Sequence, residues 1–251
     1  VKKLGDRNYI EGRNPVIEAI RSDRPIEKIL IAKGSKQGSI RKIKGMAKDK
    51  GIVIQHVNKS KLDSISRTNS HQGVVALVAE YKYRTVDDIL DVAKKRNEKP
   101  FVIILDEIKD PHNLGAIMRT AECAGAHGII IPKRRSVGLT PTVAKSSAGA
   151  IEYMPVARVS NIVYTIEELK EKGLWIYGAD MDGEKNYYQE DLTGAVGLVI
   201  GSEGKGISRL VKEKCDFLVK IPMKGKVSSL NASVAASIMI YEVLRQRSLS
   251  R

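Results

Sequence analysis

Apolar runs and amphipathic stretches alternate along this chain, and their two periods divide it into strands and helices. Apolar runs at Ile26–Ala32, Ile52–Val57 and Val74–Ala79 predict strands in the first third. Ile40, Ile43 and Ala47 share one helical face, so Ser39–Lys50 is predicted as a basic helix closed by Gly51. Pro15–Ile20, with Asn14 as N-cap, and Lys61–Ile65 are predicted as further helices. Residues 1–80 thus form a small α/β unit. The charged stretch 81–99, with a helix over Val86–Lys95, reads as a linker.

The second unit, residues 100–251, opens on the strand Phe101–Leu105. Asp110 and Pro111 then start a helix that buries Leu114, Ile117, Ala121 and Ala124. Strands are predicted at Gly128–Ile131, Leu174–Ala179, Val196–Ile200 and Phe217–Ile221. Helices are predicted at Thr140–Ala148, Asn161–Lys172 and Ser208–Glu213. A final helix over Leu230–Gln246 is expected to bury Val234, Ile238 and Tyr241. Continuous apolar strands between helices imply a mainly parallel sheet covered on both faces.

Composition narrows the function. The 251 residues carry a formal net charge of +14, spread unevenly. Residues 1–100 hold 23 Lys/Arg against 12 Asp/Glu, whereas the rest hold 20 against 17. A basic first part beside a near-neutral remainder suggests one module for a polyanion and another for chemistry. A lysine-rich surface serving solubility reads equally well from charge alone. One Trp and two Phe are too few for a base-stacking platform. Two cysteines imply no disulfide framework and a cytoplasmic location. The four histidines have no metal-ligand spacing, so no metal is expected. No apolar run is long enough for a membrane helix, and the start lacks the apolar stretch of a signal peptide.

Three segments carry candidate chemistry. The first is Asp106–Thr120, a strand end, a turn and a helix start. Capping accounts for Asp110 and Pro111 but not for Asn113 or Arg119, and on physics alone Arg119 reads as a surface arginine. The second is Gly201-Ser202-Glu203-Gly204-Lys205-Gly206, whose glycines let backbone approach a ligand. It is neither a Walker A loop nor a Gly-x-Gly-x-x-Gly fingerprint, which disfavours nucleoside triphosphates and nicotinamide cofactors. The third is Ser228-Ser229-Leu230-Asn231. Ser229 suits the N-cap of the last helix, which leaves Asn231 just inside it unexplained. The second and third segments follow strand ends, where open α/β sheets bind ligands.

These three segments resemble the motifs of the SpoU/TrmH family of RNA 2′-O-ribose methyltransferases, in the SPOUT superfamily. The resemblance runs from about residue 101 to 247 and departs from no motif residue. Gly12-Arg13-Asn14-Pro15-Val16 and His71-Gln72-Gly73-Val74 resemble the L30e-like domain attached to some members. The whole is most similar to the RlmB type, which modifies a guanosine of large-subunit ribosomal RNA.

The resemblance implies an α/β trefoil-knot catalytic domain, knotted over about 196–241, preceded by an L30e-like α/β domain. It implies S-adenosyl-L-methionine as cofactor, held by Gly201, Ile221 and Leu230 with Gly178, Ala179, Met223, Ser229 and Asn231. It implies a homodimer through the catalytic domain, in which Arg119 completes a site built largely by the other subunit. Asn113, Glu203, Ser229 and Asn231 would be its polar partners. Family analogy makes Arg119 the base. A guanidinium has no acceptor lone pair, so stabilising the developing alkoxide is the easier role. The proton would then pass to water, a phosphate oxygen or Glu203. RNA would be met by Arg13, Arg21, Lys33, Lys36, Arg41, Lys42 and Lys44, with Arg134 and Arg135 from the second unit. The same chemistry on tRNA or another ribosomal nucleotide, and a non-catalytic RNA-binding protein, are the alternatives.

Overall fold

A computed structural model describes residues 8–22, 24–35, 38–66, 70–78 and 81–250. Lys36 and Ala79 lie outside the described residues. The chain forms two compact units, one from Val1–Lys82 with Leu139–Tyr153 and one from Tyr83–Gly138 with Met154–Arg251.

In the first unit the order is β1 (Asn8–Glu11), α1 (Arg13–Arg21), β2 (Ile26–Ala32), α2 (Ser39–Asp49), β3 (Ile54–Val57), α3 (Lys59–Ile65) and β4 (Val74–Val78). The strands form a mixed sheet in the order β1-β4-β2-β3, with only β2 and β3 parallel. Ile17, Ile20, Ile40, Ile43 and Ala47 from α1 and α2 pack on Ile29, Ile31, Val74 and Ala76 of the sheet. Leu62 of α3 joins Leu30, Val75 and Leu77 in a separate cluster.

The helix α1 does not start where the sequence suggests. Its N-cap is Gly12 at φ +98°, not Asn14, and Gly12 supplies no capping side chain. The orphan N–H of Arg13 is met instead by Gln72 Oε1 at 3.1 Å, and Arg13 Nε donates to the Gln72 carbonyl at 3.2 Å. The two segments singled out in this unit therefore meet. His71 is buried beside them, accepting from Gly73 N at 3.0 Å through Nδ1 and facing Asp63 at 2.9 Å through Nε2.

The second unit contains α4 (Val86–Lys95), β5 (Phe101–Leu105), α5 (Pro111–Cys123) and β6 (Gly128–Pro132). The chain then leaves it for α6 (Pro141–Ser146), which belongs to the first unit, and returns for β7 (Val156–Val159), α7 (Ile162–Glu171), β8 (Trp175–Ala179) and β9 (Lys185–Asn186). β10 (Val196–Ile200), α8 (Arg209–Lys212), β11 (Phe217–Lys220) and α9 (Ala232–Leu249) complete it. Seven parallel strands lie in the order β7-β6-β5-β10-β8-β11-β9. The fully buried β10 lies between β5 and β8, which fits its unbroken apolar run.

The excursion Leu139–Tyr153 is fastened inside the first unit by Glu152, whose side chain is 5% exposed. Arg24 donates to it at 2.9 Å and the Tyr81 hydroxyl at 3.0 Å, with the Arg24 guanidinium 3.4 Å from the Tyr81 ring centre. Burial, then the charge of Glu152, drives the Tyr81 phenol far above its ordinary pKa, so it stays a donor. The contiguous division at residues 80–100 read from the sequence does not contain this excursion.

The last helix differs from expectation in two ways. Asn231 is its N-cap, accepting from Ser233 N at 2.9 Å and Val234 N at 3.3 Å, and Ser229 precedes it. Its buried face holds Ala236, Met239, Ile240 and Val243, while Val234 and Tyr241 are exposed and Ile238 is half-buried. Its apolar residues run round most of its circumference, and contacts with α5 and β10 choose the inner face. The strands β1, β7 and β9 were not anticipated; each is only two to four residues long.

Candidate active site

The carboxyl ends of β8, β10 and β11 open onto a cavity of about 310 Å³, within the size range of small-molecule sites. Ile200, Val219, Ile221 and Leu230 supply apolar walls, and Gly201–Gly206 supplies backbone. The glycine loop doubles back on itself, with Ser202 and Gly206 exchanging hydrogen bonds at 3.1 and 2.9 Å. That turn leaves no room at Gly201, where a Cβ would lie 2.1 Å from the Gly206 carbonyl carbon. Gly204 and Gly206 have φ of +76° and +64°, which favours glycine at both.

The far end of the loop is tied to β5. Asp106, 5% exposed, accepts from Ser208 N at 2.7 Å, and its own N–H donates to the Ile200 carbonyl at 2.9 Å. Asp106 thereby ties β5 to the end of β10 through its backbone N–H and to the far end of the loop through its carboxylate.

At the head of α9, three polar side chains from separate segments converge. Asn113, buried on the first turn of α5, donates to Glu203 Oε1 at 3.0 Å. The Asn231 amide donates to Asn113 Oδ1 at 3.0 Å and also to Glu203 Oε1. Ala232 N reaches the same carboxylate oxygen at 3.3 Å. α5 is oriented for this by its own cap, Asp110 accepting from His112 N at 2.8 Å. Glu203 is thus a carboxylate held by amide donors at a helix N-terminus, where negative charge is favoured.

The remaining candidates divide. Ala179, Gly201, Ile221, Met223, Ser229 and Leu230 line the cavity. Gly178 does not line it: a Cβ there would meet Cys215 Sγ and Leu218 Cδ2, each at 2.9 Å, so the structure shows packing instead. Burial pushes that Cys215 thiol up to about 12. Asn231 stands just outside the lining, beside Glu203. Arg119 projects from α5 to solvent and makes no hydrogen bond or ion pair among the described residues. Among the described residues no His, Cys, Asp or Glu cluster could hold a metal.

Asp180, Asp182 and Lys212 on the wall were missed. Lys212 bridges Asp180 and Asp182, each at 2.8 Å, and these bonds raise its pKa, Asp180 contributing most. Asp180 follows the last residue of β8, so the strand-end rule applied to that strand would have found it.

Of the basic candidates, Arg41 and Lys42 are exposed and Lys44 is half-buried, while Arg21 is engaged by Glu18 at 2.6 Å. Lys33 lines an open groove with Gln55, His56, Asn58 and Lys61. Arg134 and Arg135 are exposed on the loop after β6.

Comparison with known proteins finds matches over most of the chain. The model of the SpoU rRNA Methylase family matches residues 100–241, and a family described as RNA 2′-O ribose methyltransferase substrate binding matches residues 9–84. A Bacillus subtilis (strain 168) protein, YacO, described as a TrmH family tRNA/rRNA methyltransferase, is 55% identical over 240 residues, 96% of each chain. Among solved structures, the SpoU methyltransferase AviRb of Streptomyces viridochromogenes superposes with a TM-score of 0.81 at 26% identity, covering 98% of this chain and 91% of that one. Its complex with the cofactor AdoMet gives 0.80 at 25% identity, covering 97% and 91%.

Proposed function

The chain belongs to the SpoU rRNA methylase family, and from that premise we propose that it methylates the ribose 2′-hydroxyl of a guanosine in large-subunit ribosomal RNA, as the RlmB type does. It is an S-adenosylmethionine-dependent RNA methyltransferase. The observation that carries the reading is the convergence of Asn113, Glu203 and Asn231 at the edge of the cavity.

The residues present suit that cofactor. Ile200, Val219, Ile221 and Leu230 offer aliphatic faces for a purine, and the backbone at Gly201, Ile221 and Leu230 offers donors and acceptors for its polar edges. Ala179, Met223 and Ser229 complete the enclosure. When bound, the cofactor supplies a methyl group already activated on a sulfonium. What remains for the protein is alignment and the handling of one proton. Glu203, held by Asn113 and Asn231, orients a polar group at the cavity edge, and the ribose proton passes to it, to water or to a phosphate oxygen. Arg119 stabilises the developing alkoxide and grips the neighbouring phosphate, since a guanidinium always carries its charge.

In this reading Arg119 serves the site of a second subunit. Its exposure and its lack of partners among the described residues support that, as do the exposed Val234 and Tyr241 on α9. We place the knot over about 196–241. The L30e-like first domain, residues 1–80, binds RNA by charge and shape, and residues 100–251 perform the transfer.

The test is incubation with methyl-labelled S-adenosylmethionine and unmodified large-subunit ribosomal RNA, followed by mapping of the label. A single 2′-O-methylguanosine is expected. Label confined to tRNA would overturn the substrate, and none on either RNA would overturn the reading.

A further inference from the structure

Two non-glycine residues with left-handed backbone face each other on neighbouring loops of the second unit. Glu107, at φ +57°, follows β5; Arg135, at φ +61°, follows β6. Such conformations are uncommon outside glycine and persist where the surroundings impose them. Here the two residues are joined. Arg135 Nη1 donates to Glu107 Oε1 at 3.2 Å, and Lys109 Nζ lies 3.9 Å from Glu107 Oε2. A backbone bond from Val137 N to the Ile108 carbonyl at 2.9 Å ties the loops below them. Arg158 Nη2 holds the second loop by the Lys133 carbonyl at 3.0 Å.

The result is a cationic rim. Lys109, Lys133, Arg134, Arg135 and Arg158 are all exposed, and the carboxylates among them are Glu107 and the capping Asp110. Arg135 is 77% exposed and Lys109 65%, whereas Glu107 is 22%. Glu107 therefore sits beneath the two cations and aims them outward. An exposed ion pair is weak, so an incoming anion can take both cations with little opposition. The loop that bears Glu107 and Lys109 runs directly into α5, which carries Asn113.

We propose that Lys109, Arg134 and Arg135 form a phosphate-binding rim beside the reaction centre, gripping the RNA backbone next to the target nucleotide, with Glu107 as the residue that positions Lys109 and Arg135. The aromatic ring beside these cations, Tyr83, lies under the Arg158 guanidinium at 5.4 Å, so recognition by Lys109, Arg134 and Arg135 is by backbone charge and independent of base sequence. This inference rests on the reading of the chain as an RNA methyltransferase.

The experiment measures binding of the full chain to a large-subunit ribosomal RNA transcript across a series of salt concentrations. Each phosphate contact contributes about 0.7 to 0.9 to the slope of log affinity against log salt. The triple change Lys109→Ala, Arg134→Ala and Arg135→Ala is expected to flatten that slope by roughly 2 to 3, with S-adenosylmethionine affinity unchanged. Arg135→Lys should keep the slope, and Glu107→Gln should tighten RNA binding at low salt. An unchanged slope in a triple variant that still binds the cofactor would overturn the rim and leave the proposed function standing. A wild-type chain that binds no RNA at any salt would remove both.

Discussion

Asn231 joins Glu203 to the last helix in both directions. Its carbonyl oxygen caps α9 while its amide donates to the Glu203 carboxylate. A serine cap could accept from the helix, but only a carboxamide can do that and also donate to both Glu203 and Asn113. Stability and chemistry can therefore be separated at this residue. Asn231→Asp keeps the capping oxygen and sets a second carboxylate against Glu203, so melting should shift little while methyl transfer collapses. Asn231→Ala should lose transfer and about 1 kcal/mol of stability. Thermal melts beside transfer assays would check both, and an active Asn231→Asp enzyme would sink the assigned role.

Arg119→Ala should abolish transfer and leave cofactor affinity nearly intact, because the side chain is exposed and makes no hydrogen bond or ion pair among the described residues. If the arginine serves a partner's site, inactive Arg119→Ala and inactive Asn231→Ala proteins should rescue one another. After random exchange of subunits roughly a quarter of wild-type activity should return, since half the dimers are mixed and each has one complete site. No recovery in verified mixed dimers would place Arg119 in its own subunit's site.

Two glycines of one loop should respond differently to alanine. At Gly201 the added Cβ would meet Gly206 and Ile207 backbone at 2.1 to 2.3 Å, which no rotamer relieves. Gly201→Ala should cost about 2–4 kcal/mol and most of the cofactor affinity. Gly204→Ala meets nothing within 4 Å and carries only the strain of a positive φ, about 1–2 kcal/mol. Calorimetric titration with S-adenosylmethionine would separate them, and equal affinities would contradict the described loop.

His127 should make the protein sensitive to acid. Phe101 N donates to its Nδ1 at 2.9 Å, so Nδ1 is an acceptor and the neutral ring carries its proton on Nε2, facing Glu98 at 3.0 Å. Burial lowers its pKa, outweighing the opposing pull of Glu98. In the unfolded chain the ring takes a proton at higher pH than in the fold. The contribution is therefore complete above the ordinary histidine range and fades as pH falls from about 6.5 toward the folded value. His127→Asn, which retains an acceptor for Phe101 N, should flatten that part of the stability–pH curve. An unaltered curve would assign the acid sensitivity to other groups.

The sequence shows some elements better than others, for physical reasons. α4, β5 and β10 begin and end where the pattern places them, because each carries one period and clear stops. α9 carries no such stripe, so Val234 and Tyr241 pass for core until α5 and β10 choose its inner face. Gln72 and Arg13 lie 59 residues apart, so no local rule reveals that one caps the helix of the other. Among the candidate site residues, Asn113 stands out because capping leaves it unexplained, whereas Asn231, read as lying inside the last helix, is in the structure its cap. Lys212 looks like ordinary surface charge until the strand order places it on the cavity wall beside Asp180. A knot is contrary to the general rule for chain paths and is suggested by resemblance alone.

Glu152 gives the excursion Leu139–Tyr153 a meaning for inheritance. A gene cut after residue 82 would strip it of Arg24 and Tyr81 together and leave a carboxylate built for burial with neither guanidinium nor phenol. In this chain, then, one break after residue 82 does not release the first unit intact, since Leu139–Tyr153 belongs to it. Glu152 therefore ties the codons of Arg24 and Tyr81 to a segment encoded much further along the gene.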